Sequence, residues 1–233
     1  MPKKNEAVSH PITPEDHKKL DTSKHPSVNE TLGFPVGDAF DEAITSILES
    51  DAEENGETVV IALVDLDNFA RVNKEFSTAE GDRVLIESGK YIASMTGKGS
   101  KVFRIGGDEF GVIFKGCEER EDIFLRLEEM RKNFNVTLPD KSVMTMTIGM
   151  ATAFEDANRC AELIRKADGA LYRAKIGGRN KVAMAKEEKM IPKTAHFTQD
   201  QLKRLNKLSK REDIGEAILL REALDMLLKK YDV

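Results

Sequence analysis

Residues 58–66, TVVIALVDL, form a continuous β-branched apolar run of strand length that ends on carboxylates. A strand of this kind is apolar toward both sides and must lie in the middle of a sheet covered on both faces. It fixes a layered α/β arrangement and sets acid at one end of a buried element. Two further runs, KVFRI and EFGVIF, flank Gly106, Gly107 and Asp108 as the arms of a hairpin. A fourth strand is expected over 143–153 (VMTMTIGMATA). The first strand is read as reaching Phe69.

Between these runs, apolar residues fall at helical spacing. Phe40, Ile44 and Ile47 or Leu48 define one helix, and Leu85, Ile92 and Met95 a second that stops at Gly97 and Gly99. A charged helix is expected at about 119–134. Another carries Leu163, Ile164, Ala167, Ala170, Leu171 and Ala174 and closes at Gly177–Gly178. From residue 58 the order is βαββαβ, an α+β ferredoxin-like core with added helices. Residues 1–33 are polar and read as an N-terminal arm, 34–186 as the main domain, and 187–233 as a separate small tail.

In a ferredoxin-like sheet the first strand lies beside the hairpin, so Asp65 and Asp67 meet Asp108 and Glu109 at one end. Clustered carboxylates raise one another's pKa unless a cation neutralises them. Hard oxygen donors suit Mg2+ or Mn2+ completed by substrate phosphates. Gly106 and Gly107 suit a tight or positive-φ turn that lets phosphate approach the backbone. The net charge is −5, and the central 35–185 segment holds 20 Lys and Arg against 27 Asp and Glu, which argues against a nucleic-acid groove there. No apolar run approaches the roughly 20 residues of a membrane span. With two cysteines and no apolar leader, a cytoplasmic protein without a disulfide framework is expected.

Gly106–Phe110 reads GGDEF, and the supporting segments occur in order: DLDNFARVN, EGDRVL, MTMTIGMA and ADGALYRAKIGGRNKV. Over about 34–185 the chain resembles the diguanylate cyclase family. That resemblance implies that Asp65, the Leu66 carbonyl and Asp108 hold two divalent metals per GTP site, with Glu109 supporting that site and orienting or deprotonating the attacking hydroxyl. It implies that Asn73 and Asp82 read the guanine edge, that Phe69, Gly106 and Gly107 line the substrate site, and that Lys175 and Arg179 grip the triphosphate. The implied reaction joins two GTP into cyclic di-GMP with release of two pyrophosphates, across a homodimer in which each subunit holds one nucleotide. An aspartate accepts from guanine N1–H and N2–H, a donor pair that adenine lacks.

The pattern departs from the family at Val36–Asp38, at Ala70 in place of a lysine, with Arg71 next to it as a misphased substitute, and at Ser77–Thr78. GKGS at 97–100 stands where the family's inhibitory RxxD motif is often found. The tail resembles the ribbon-helix-helix family, which implies a strand over 193–197 paired with a second chain, then two helices. On that alignment Thr194 and His196 face a DNA groove, Ala195 and Phe197 pack beneath, and Lys203 and Arg204 are among the cations available to phosphates. Two functions are therefore carried forward: a metal-dependent cyclase dimerised, and tethered to DNA, by its tail, and a DNA-binding regulator that uses a weakened cyclase domain to sense guanine nucleotides.

Overall fold

The computed structural model describes residues 26–186, 193–212 and 215–231. The chain divides into two compact units, one spanning 18–188 and one containing 189–233. Residues 1–25 of the expected 1–33 arm, residues 187–192 of the expected tail, and residues 213–214 and 232–233 lie outside the described residues.

The larger unit is built on a five-stranded sheet of order β2-β3-β1-β4-β5, with β1 Thr58–Leu66, β2 Lys101–Arg104, β3 Glu109–Gly116, β4 Met146–Thr152 and β5 Val182–Met184. β1 pairs antiparallel with β3 and β4, and β2 closes the hairpin on β3. This is the expected ferredoxin-like sheet, extended by β5, which runs parallel to β4. Eight of the nine residues of β1 are buried. Val60, Ala62, Val64 and Leu66 join one core, Val59, Ile61 and Leu63 the other. The alternation places Asp65 on the same side as the second core.

The first core is covered by α1 (Pro26–Leu32), α3 (Phe69–Glu75), α4 (Thr78–Thr96) and α5 (Arg120–Asn133), through Val28, Val72, Leu85, Ile92, Ile123 and Leu127. The second is covered by α2 (Ala39–Leu48) and α6 (Cys160–Ile176), through Phe40, Ile44, Leu163, Ala167 and Leu171. Gly149 makes the second contact possible, because a Cβ there would stand 2.3 Å from the Ala167 carbonyl oxygen and from the Leu171 nitrogen. Helix and sheet meet backbone to backbone at that point.

The structure revises several sequence readings. Residues 26–32, assigned to the polar arm, form a helix whose Val28 is fully buried and whose Leu32 packs on the core; two apolar contacts in seven residues show no period. β1 stops at Leu66, because Asn68 turns the chain at φ 58° and Phe69 opens a short helix that buries Phe69 and Val72. β4 starts at Met146; Val143, 47% exposed, makes only an isolated bridge to Thr137.

In the tail unit, α7 (Gln199–Glu212) and α8 (Glu216–Lys230) are joined by a hydrogen bond from Asn206 Nδ2 to Glu216 Oε1 of 2.9 Å. Thr198 opens α7 with a reciprocal cap: its Oγ1 accepts from Gln201 N at 3.2 Å, and its N–H donates to Gln201 Oε1 at 2.9 Å. The strand expected at 193–197 is absent; the segment has no ladder, and Ala195 and Phe197 are exposed. A two-chain ribbon finds no pairing edge within one chain. Both cysteines are free thiols, and no helix among the described residues is long and apolar enough to cross a membrane.

Candidate functional site

The end of β1 and the β2–β3 turn are joined by backbone. Asp65 lies opposite Glu109 in the β1–β3 register, and Leu66 N donates to the Asp108 carbonyl at 3.2 Å. Ile105 N and Gly106 N both donate to the Glu109 carbonyl at 3.1 Å, closing the turn. The two glycines do not take positive φ. Gly106 is required instead by proximity, since a Cβ would fall 2.8 Å from Glu109 Oε2, whereas Gly107 opens onto free space.

Lys175 reaches this cluster from the last turn of α6. Its Nζ donates to Asp65 Oδ2 at 2.7 Å and lies 4.0 Å from Glu109 Oε1. Burial raises the Asp65 pKa to about 6 against the opposing Lys175 charge, and the Asp108 carboxylate adds to the rise. Asp108 also rises to about 6, through burial and then through the Glu109 charge. Burial draws the Lys175 ammonium down, but Asp65, Glu109 and Asp108 together outweigh it, so Lys175 stays charged. One lysine thus faces three carboxylates. The local excess is negative, and carboxylate oxygens are hard donors. Among the described residues no group of three or more His, Cys, Asp or Glu side chains can hold a metal by itself. The donor set fits a divalent ion that takes its remaining ligands from water and phosphate.

Asn73 on α3 packs against Gly81 on α4, the residue before Asp82. A Cβ at Gly81 would stand 2.0 Å from Asn73 Oδ1 and 3.2 Å from the Phe69 ring. Asn73 Oδ1 is buried with no hydrogen-bond partner among the described residues. The structure therefore brings together Asp65, Leu66, Asp108, Glu109 and Lys175, and separately Phe69 and Asn73 at Gly81, while Asp82 lies within charge range of Arg104. Arg179 is exposed in the turn after α6. Thr194, His196, Lys203 and Arg204 are exposed in the tail unit, where Arg204 Nη1 lies 3.8 Å from Asp200 Oδ2.

Arg104 was missed in the sequence, and Asp67, expected to meet Asp108 and Glu109 at the strand end, instead has its carboxylate taken up by Thr145, Thr147 and Asn180. Arg104 is 3% exposed and donates to Asn29 Oδ1 at 2.6 Å and to the Gly107 carbonyl at 2.8 Å, bracing the turn. Burial lowers its pKa, opposed by the Asp82 and Asp108 charges. Asp67 is 5% exposed and accepts from Thr145 Oγ1 and Thr147 Oγ1, each at 2.6 Å, and from Asn180 N at 3.1 Å. The signal for Arg104 was its place within the second acidic segment. At two of the departures, Ser77 caps α4 by accepting from Glu80 N at 3.1 Å, and Arg71 pairs with Glu75 at 2.6 Å and Asp140 at 2.5 Å.

Residues 38–181 match the family described as diguanylate cyclase, GGDEF domain. The chain belongs to the GGDEF family. Residues 191–232 match the ribbon-helix-helix domain family. Diguanylate cyclase A of Treponema denticola is 32% identical over 148 residues, 60% of this chain and 38% of that protein. The cyclic di-GMP phosphodiesterase NbdA of Pseudomonas aeruginosa is 26% identical over 188 residues, 80% of this chain and 24% of that protein. The chain thus spans well under half the length of either curated relative. The GGDEF domain of DgcB from Caulobacter crescentus, solved in complex with c-di-GMP, superposes with a TM-score of 0.59 at 28% identity, covering 65% of this chain and 91% of that one.

Proposed function

We propose that this protein is a diguanylate cyclase that condenses two GTP into cyclic di-GMP and two pyrophosphates. The observation that carries the reading is the convergence of Asp65, Asp108 and Glu109, all at least partly buried, around one ammonium, Lys175. Asp65, the Leu66 carbonyl, Asp108 and Glu109 would hold Mg2+ or Mn2+. Two such ions lower the pKa of a bound hydroxyl and neutralise charge at a phosphoryl centre. Asn73 Oδ1 and the Asp82 carboxylate accept the guanine N1–H and N2–H, with Phe69 beneath them. Lys175 and Arg179 bind the polyphosphate.

The 3′-oxygen of one nucleotide attacks the α-phosphorus of the other. A P–O bond forms, the bond to pyrophosphate breaks, and Glu109 takes the hydroxyl proton directly or orients it toward water. Two such transfers close the ring. Each site holds one nucleotide, so two chains must meet, and the tail supplies dimerisation through α8, raising the effective concentration of the second site. Tethering to DNA through Thr194, His196, Lys203 and Arg204 belongs to the same proposal.

The commitment of Ser77 to a helix cap and of Arg71 to ion pairs favours a second reading, a DNA-binding regulator that senses guanine nucleotides with little turnover. Purified protein incubated with GTP and Mg2+ or Mn2+, beside Asp108→Ala, separates the two. Cyclic di-GMP formed by the native chain alone supports the cyclase. Tight GTP binding without product, together with nucleotide-dependent DNA binding, replaces it with the sensor.

A further inference from the structure

The turn after α6 contains three successive residues of left-handed backbone: Gly178 at φ 105°, Arg179 at φ 61° and Asn180 at φ 46°. Glycine adopts this region freely and asparagine tolerates it, but arginine is penalised there. Such a conformation persists when its surroundings over-determine it, and these outliers concentrate at ligand clamps.

Three elements hold this turn. Asn180 N donates to Asp67 Oδ2 at 3.1 Å and to Thr147 Oγ1 at 2.9 Å, tying the turn to the chain beyond β1 and to β4. The Thr147 hydroxyl in turn donates to Asp67 Oδ1 at 2.6 Å, and Thr147 is fully buried. On the far side, Arg131 Nη1 of α5 donates to Asn180 Oδ1 at 2.9 Å, while the same guanidinium pairs with Glu128 at 2.8 Å. The Arg179 N–H is anchored back to the Ala174 carbonyl at 3.0 Å. Every one of these bonds fixes backbone or the neighbouring asparagine and leaves the Arg179 side chain exposed.

We infer that Asp67, Thr147 and Asn180 form a strut whose task is to hold Arg179 in its left-handed conformation, which makes them positioning residues for recognition of a nucleotide's polyphosphate. The inference rests on the proposed nucleotide site. Asp67 stands two residues from Asp65, yet its carboxylate is filled by two hydroxyls and one amide. Its role is geometric, and it reaches the ligand only through Arg179.

Thr147 gives the cleanest test, because Thr147→Val removes the shared hydroxyl without altering charge, and Thr147→Ser restores it. Affinities are measured on the full chain with Mg2+ for two probes: 3′-deoxy-GTP, which lacks the attacking hydroxyl, and GMP, which lacks the outer phosphates. The native protein is expected to prefer 3′-deoxy-GTP, and Arg179→Ala to lose most of that preference. Thr147→Val is expected to weaken 3′-deoxy-GTP roughly five- to tenfold, the worth of one or two hydrogen bonds, while leaving GMP unchanged. Thr147→Ser is expected to recover the native ratio. Asn180→Ala, which keeps the N–H but loses the link to Arg131, is expected to fall between them. Equal weakening of both probes, or a native ratio in Thr147→Val, overturns the strut. If the native protein shows no preference for 3′-deoxy-GTP, the phosphate site itself fails and the strut with it.

Discussion

In the unit spanning 18–188, the sheet carries apolar side chains on both faces, and helices cover both, so that Ile61, Leu85, Leu127, Ile148 and Leu163 are almost completely inaccessible. In the tail unit, α8 leaves Leu220, Leu224, Met226, Leu227 and Leu228 between 37% and 52% exposed. The first unit has two layers of helix for its one sheet, and the tail has two helices among its described residues. Clustered exposed leucines on one short helix mark a surface made for a partner rather than for water. One chain therefore combines a core complete in itself with a helix whose described apolar side chains stay exposed. The proposed reaction between two nucleotides would use that division of labour.

The comparison breaks most severely at Gly149. A side chain there has to displace helix backbone, so Gly149→Ala is expected to destabilise the larger unit by at least about 3 kcal/mol. The helical signal of the tail should survive the lowered transition in thermal unfolding followed by circular dichroism. A single cooperative loss of both would show that the two units are not separate in stability.

The next effect falls on assembly. Replacing exposed Leu224 and Leu227 together by Glu should leave the unfolding temperature of the larger unit within about 2 °C, because neither side chain is in its core. Sedimentation should then show monomers where the native chain dimerises, and cyclic di-GMP formation at sub-micromolar protein should drop at least about tenfold. A native chain that sediments as a monomer would remove the dimer from the mechanism.

A smaller effect distinguishes a site from a core. Asp65 and Asp108 have folded pKa values near 6, above the unfolded value of 3.8. Between those values the folded state binds more protons than the unfolded state, so stability falls as pH rises from about 4 to about 6 and stays lower above. Asp108→Asn removes one of the charges. In metal-free buffer at pH 8 it should be more stable than the native protein by about 1–3 kcal/mol, with the difference vanishing toward pH 4. Mg2+ should raise the native melting temperature more than that of the variant. A variant less stable than the native chain at pH 8 would mean that Lys175 already balances the cluster.

Much of this was legible in the sequence, for a physical reason. A strand buried on both faces has to be apolar throughout, and TVVIALVDL is; helices over a sheet have to repeat, and those around Leu85 and Leu163 do. The acid positions were legible because carboxylates at the end of a buried run are costly without a function. Two features were hidden, and one expected element, the strand at 193–197, did not form. α1 is held by Val28 and Leu32 alone, which is too few for a period. Arg104 and Asp67 act through partners 75 and 113 residues away, Asn29 and Asn180, which no local pattern announces. The tail strand depends on pairing, and pairing is a property of two segments.

The smallest predicted effect on stability is at Gly81, and it separates packing from recognition within one unit. Alanine favours a helix interior over glycine by about 1 kcal/mol. Against this, the new Cβ would stand 2.0 Å from Asn73 Oδ1, the end of a side chain that can swing away, unlike the backbone that faces Gly149. The two terms nearly cancel, and the melting temperature of Gly81→Ala is expected within about 2 °C of native. The displaced atom is, however, the buried acceptor without a partner among the described residues. If its donor is guanine, GTP affinity should fall about tenfold, the worth of one good buried hydrogen bond, while Mg2+ still raises the melting temperature as in the native protein. An unchanged GTP affinity would instead assign Asn73 to the fold and leave Asp82 alone to read the base.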